Sequence, residues 1–128
     1  EKDSQAMAIG MSIADMTRKM PVKAVIALTG SGFTASMLAE GKLSVPIFAC
    51  CPEKKICRNI KLFRGVYPIP LNFEASIDKK SLLALDEFLI NKLGLEKDDF
   101  VLITGSVPEL LVGGTNFIKI HKIGLLSK

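Results

Sequence analysis

The stretch Lys23-Ala-Val-Ile-Ala-Leu-Thr-Gly-Ser-Gly-Phe-Thr34 decides the fold. Residues 24–28 are a continuous apolar run bounded by a lysine and by turn formers, the pattern of a central parallel strand buried on both faces. The run ends in a loop of hydroxyls and glycines, and a short helix follows over Phe33–Glu40, closed by Gly41. Such a strand–loop–helix unit is how a protein builds a phosphate cradle. Glycines let the backbone approach an anion, the first N–H groups of the helix lack intrahelical partners, and Thr29, Ser31 and Thr34 add hydroxyl donors.

Upstream, Ala6, Ile9, Ile13, Met16 and Met20 recur at spacings of three and four and form one apolar helical stripe. Asp3 or Ser4 can cap its start, and Pro21 stops it. Downstream, residues 45–50 read as a second strand. From Pro52 the pattern turns helical, with Ile56, Ile60 and Phe63 on one face and Lys54, Arg58 and Lys61 largely on the other. Residues 65–71 form a third strand whose prolines, Pro68 and Pro70, place it at a sheet edge. Ser76 or Asp78 caps a longer helix that carries Leu82, Leu85 and Leu89 towards Gly94. Residues 100–104 and 116–123 complete the set of strands. The connection between these last two is too short for a crossover helix, so the final strand is expected to run antiparallel to the fourth. Helix and strand periods alternate throughout, which gives a single α/β domain over residues 1–128 with helices on both faces of a mixed sheet.

The chain has 128 residues, 48% of them apolar and 23% charged, ordinary values for a globular domain of this size. No apolar run approaches the roughly 20 residues that span a bilayer, and no signal peptide precedes the first helix; no membrane role is expected. The net charge of +4 is concentrated in Lys54, Lys55, Arg58, Lys61 and Arg64. With a single tyrosine, no tryptophan and no accompanying recognition motif, this cluster reads as a solvated face rather than a nucleic-acid site. Cys50, Cys51 and Cys57 lack zinc-ligand spacing, and their odd number fits reduced thiols and a cytoplasmic location. A chain that begins at Glu1 on the doorstep of a helix also fits a piece of something longer.

Three segments in register resemble the C-terminal domain of pyruvate kinases. They are the strand that runs into the Thr29-x-Ser-Gly-x-Thr34 loop, the block Phe63-Arg-Gly-Val-Tyr-Pro68, and the ending Gly113-Gly-Thr-Asn-Phe-Ile-Lys-Ile-His121. Each is modest alone; their order and spacing cover almost the whole chain. The resemblance implies a three-layer α/β/α sandwich around a five-stranded mixed sheet with the last strand antiparallel. It also implies a regulatory and assembly role. In the family a (β/α)₈ barrel precedes this domain and carries the magnesium and potassium ions and the transfer of phosphate from phosphoenolpyruvate to ADP. The domain itself is expected to hold no cofactor, metal or catalytic residue.

Carried over to this sequence, the resemblance assigns an effector phosphate site to Thr29, Gly30, Ser31, Gly32, Phe33 and Thr34, and a second effector loop to Gly113 and Gly114. The implied partners are a sugar phosphate and further copies of the chain, a tetramer in the parent enzyme. Two departures stand out: Phe33 replaces an arginine found in many bacterial relatives, and Gly30 a lysine found in some bisphosphate-activated ones. Losing a charge-assisted contact costs on the order of 1.5–3 kcal/mol of phosphate affinity, which favours a monophosphate effector as much as fructose 1,6-bisphosphate.

Two other readings compete. The loop can be a plain strand-to-helix turn in a purely structural, oligomerising domain. Alternatively, Gly30-Ser-Gly32-Phe-Thr-Ala35 formally fits a dinucleotide fingerprint with Glu53 as the ribose-binding acid. Against the latter, Glu53 follows Pro52 rather than ending a strand, and no second mononucleotide half is present. His121, the only histidine, reads as a packed or surface residue, with no acid near it in the sequence.

Overall fold

A computed structural model describes residues 2–28, 33–50, 58–59, 64–69, 71, 78–105 and 117–124. In chain order these contain α1 (Lys2–Lys19), β1 (Val22–Leu28), α2 (Phe33–Glu40), β2 (Ile47–Cys50), β3 (Val66–Ile69), α3 (Lys79–Asn91), β4 (Phe100–Gly105) and β5 (Phe117–Lys122). The helix expected from Pro52 falls outside the described residues except for Arg58 and Asn59, which are helical.

The five strands form one sheet in the order β3-β2-β1-β4-β5. Pairs β1–β2, β1–β4 and β2–β3 are parallel, and β4–β5 is antiparallel. The mixed sheet expected from the short last connection is therefore observed. The proline-bearing β3 lies at one edge, and β5 at the other.

β1 is central and buried on both faces, so its alternate residues feed two separate cores. On one side Val25 and Ala27 pack with Ile13 of α1, Ala35 and Leu38 of α2, Ile47, Ala49 and Leu102. On the other, Ala24, Ile26 and Leu28 pack with Leu82, Leu85 and Leu89 of α3, and with Val101 and Ile103. The sheet is thus sandwiched between α1 and α2 on one face and α3 on the other. The apolar stripe of α1 turns inward as its spacing requires: Ala6 and Ile13 are fully buried, and Ile9, Met16 and Met20 pack partly buried against the same core.

Helix ends follow local chemistry, with two differences from expectation. α1 already includes Asp3 and Ser4, so neither caps it, and it stops one residue before Met20-Pro21. Of the two candidate caps for α3, Asp78 does the work: its Oδ1 accepts from Ser81 N–H at 2.8 Å, and that bond holds its carboxyl below the usual Asp range. At the other end of α3, Gly94 takes φ 75° and Leu95 N–H returns to Leu89 O at 3.0 Å, which closes the last turn. Behind α2, Gly41 N–H bonds to Leu38 O at 3.0 Å, but the left-handed residue is Lys42, φ 49°.

Candidate functional site

Strand order locates the crevice. From β1 the chain crosses to β2 and β3 on one side, and β4 and β5 fill the other, so the topological switch point lies between β1 and β4. In open α/β sheets this point, beyond the carboxyl ends of the strands, is where ligands bind. Leu28, the last residue of β1, is in register with Gly105, the last residue of β4. Segments 29–32 and 106–116 therefore begin at two neighbouring strand ends. The loops singled out in the sequence follow these ends, and residues 29–32, 113 and 114 lie outside the described residues.

The described walls of this place are specific. Five residues beyond Leu28 the chain enters α2 at Phe33, and no acidic residue stands in its first turn. The first N–H groups of that helix carry partial positive charge that no carboxylate of its own turn offsets. Thr34 sits in the same turn but is 4% exposed, so its side chain is largely withdrawn from solvent. Ala35, the last position of the dinucleotide fingerprint, is fully buried against the core. Of the sequence-assigned residues, then, the described ones place Thr34 beneath the helix start and Phe33 at its first backbone position. Thr29, Gly30, Ser31, Gly32, Gly113 and Gly114 are outside the described set.

Across the crevice, Thr104 is fully buried and its Oγ1 donates to Phe117 O at 2.9 Å. That bond ties the two ends of segment 106–116 together. Gly105, at φ 150°, lies so close to β1 that an added Cβ would stand 2.4 Å from Leu28 O. Only glycine permits this approach of two backbones.

Reactive groups are scarce near it. Cys50 ends β2, buried, and burial pushes its thiol up to about 12, so it stays protonated and inert at neutral pH. Among the described residues no group of three or more His, Cys, Asp or Glu side chains is arranged to hold a metal ion. No helix among them is long and apolar enough to cross a membrane. Of the basic cluster, Arg58 and Arg64 are described, and both are exposed.

One polar cluster was missed by the sequence reading. His121 on β5 is 2% exposed, and its Nε2 lies 2.6 Å from Asp86 Oδ1 on α3. The other carboxylate oxygen accepts from Gly124 N–H at 3.0 Å. His121 thus does have an acid partner, 35 positions earlier in the chain. The available signal was Asp86 itself: it falls on the helical stripe of Leu82, Leu85 and Leu89, where an isolated charge has to find a buried donor.

Comparison with known proteins agrees with the architecture. The family model described as "Pyruvate kinase, alpha/beta domain" matches residues 7–121. A pyruvate kinase of Sporosarcina psychrophila is 37% identical over 117 residues, covering 91% of this chain and 20% of that protein. One of Clostridium perfringens is 33% identical over 124 residues, covering 94% of this chain and 25% of that protein. The chain therefore spans about a fifth to a quarter of the length of these curated relatives. Among solved structures, Cryptosporidium parvum pyruvate kinase in complex with ADP superposes with a TM-score of 0.79 at 24% identity, over 93% of this chain and 24% of that one. This last likeness is one of fold.

Proposed function

On the premise that this chain belongs to the pyruvate kinase alpha/beta domain family, we propose that it binds the phosphate of a sugar-phosphate effector at the carboxyl ends of β1 and β4. The parent enzyme would be a glycolytic pyruvate kinase, transferring phosphate from phosphoenolpyruvate to ADP in a barrel that these 128 residues do not include. This domain supplies no catalytic group; its part is to sense an effector and to meet other copies of itself.

The observation that carries the effector reading is the register pairing of Leu28 with Gly105. Segments 29–32 and 106–116 leave from these adjacent strand ends at the switch point, and the first leads into a helix start with no acid in its first turn, which supports the reading. With no arginine or lysine in segment 29–32, the phosphate would be held by backbone N–H and hydroxyl donors, which suits a monophosphate such as ribose 5-phosphate or glucose 6-phosphate.

Calorimetric titration with these two and with fructose 1,6-bisphosphate tests the assignment. The variant to compare is Thr29→Ala/Ser31→Ala, because Thr34 is buried and its truncation would also disturb α2. Each hydrogen bond lost to a charged ligand costs roughly 1.5–3 kcal/mol, so the double variant is expected to bind about 100-fold more weakly or worse. A wild-type chain that binds none of the three, or a variant with unchanged affinity, removes the effector reading.

Self-association has its own support. β5 is an edge strand, with its outer side unpaired among the described strands. Ile120 on β5 is 47% exposed, and Met7 and Met11, one turn apart on α1, are 65% and 70% exposed. An open strand edge beside apolar side chains is the usual setting for strand pairing with a second copy. Sedimentation of the chain is expected to give a dimer at micromolar concentration; a monomer throughout counts against it.

A further inference from the structure

β5 carries apolar residues on both of its faces. Phe117, Lys119 and His121 alternate with Ile118, Ile120 and Lys122, so the two faces differ little in hydrophobicity. The face that enters the α3 core delivers Phe117 and the buried His121, while Ile120 on the opposite face stays 47% exposed. A slip of one residue along β4 would bring Ile120 and Ile118, which now packs against the core under α1 and α2, to the α3 face and turn Phe117 and His121 away from it. Because the side-chain period is two, a strand so patterned has no strong apolar preference for one register over the next.

The observed register sets His121 opposite Val101 and is completed by three polar groups. A carboxylate only accepts, so His121 Nε2–H donates to Asp86 Oδ1, at 2.6 Å. Gly124 N–H, just beyond the strand, donates to Asp86 Oδ2 at 3.0 Å. Asp86 is 4% exposed in the middle of the apolar face of α3. Any one-residue slip presents Ile120 or Lys122 at the position of His121 and carries the Gly124 N–H away as well. The buried carboxylate would then lose both donors, a heavier loss than the apolar gain on the other face.

We propose that Asp86, His121 and the Gly124 N–H form a register lock for β5, holding the edge strand in one frame against β4. The pair serves specificity rather than net stability, the role for which buried polar pairs are best attested. Replacing one partner leaves the other orphaned. Replacing both by leucine leaves an apolar contact between α3 and β5 that stabilises the fold but no longer tells one frame from the next.

Backbone NMR of the 128-residue chain tests this, through interstrand contacts that read register directly. The wild type is expected to show one set of resonances, with Val101 facing His121 and Ile103 facing Lys119. In Asp86→Leu/His121→Leu the chain should melt cooperatively, yet show a second set of β5 contacts or lose exchange protection in β5 alone. Wild-type contacts and protection in that variant would overturn the proposal. If it does not fold, His121→Gln and His121→Asn decide: glutamine carries its N–H as far out as Nε2, and asparagine stops short. The first should keep the single register and the second lose it; identical behaviour of the two also overturns the lock.

Discussion

Gly105→Val should abolish sugar-phosphate binding and destabilise the domain, although it removes no side-chain contact. Gly105 has φ 150°, and its missing Cβ would lie 2.4 Å from Leu28 O and 2.9 Å from Leu28 Cβ. The obstacle is mostly backbone, so no side-chain rotation relieves it. β1 and β4 must part at their carboxyl ends, where the two segments of the proposed effector site begin. Overpacking of this kind costs about 1–3 kcal/mol and occasionally more. The sharper readout is binding, because the proposed phosphate site depends on the segments that leave these two strand ends. Gly65→Ala and Gly94→Ala are the controls. Both positions have φ near that of a left-handed turn, 78° and 75°, but open space around them. They should cost only the roughly 1–2 kcal/mol of left-handed backbone and leave affinity alone. Urea denaturation and calorimetry of the three variants separate the cases, and wild-type affinity in Gly105→Val would disconnect the crevice from the effector.

Leu85→Ala is expected to lower unfolding stability by about 2–5 kcal/mol, the range for emptying a well-packed leucine site. Leu85 is fully buried and faces Ile26 and Ile103 in the core beneath α3. The neighbours are anchored in β1 and β4 and cannot collapse into the void, which favours the upper half of that range. Against a total stability of 5–15 kcal/mol for a domain, the loss is a large fraction. Chemical denaturation measures it, and a loss below about 1 kcal/mol would mean that α3 contributes little to the sheet. The same variant should spare the core under α1 and α2, since the two cores sit on opposite faces of the sheet.

Much of this architecture was legible in local sequence because local sequence carries its causes. The unbroken apolar run of β1 reflects burial on both faces, Pro68 of β3 reflects an edge that needs fewer N–H donors, and the short link after β4 reflects an antiparallel return. The candidate phosphate residues were legible only as types at a spacing. That the strands leading into the two candidate loops are neighbours depends on β4 lying beside β1 rather than beside β3, and no periodicity encodes strand order. The Asp86–His121 contact was illegible for a related reason: it joins a helix to a strand across the sheet edge, and polar pairing over such a separation leaves no local pattern. The α1 cap was misplaced because the helix continues through Asp3 and Ser4.

The pairing of residue 28 with residue 105 also bears on how the chain is made. During synthesis β1 emerges early, and β2 can cover one of its edges soon afterwards. Its other edge waits for β4, after α2, β2, β3 and α3 have all left the ribosome. For that interval the long apolar strand β1 has a bare flank, open to any extended segment nearby. Closing so long a loop is slow, and the hazard peaks in partly translated chains rather than in the finished fold.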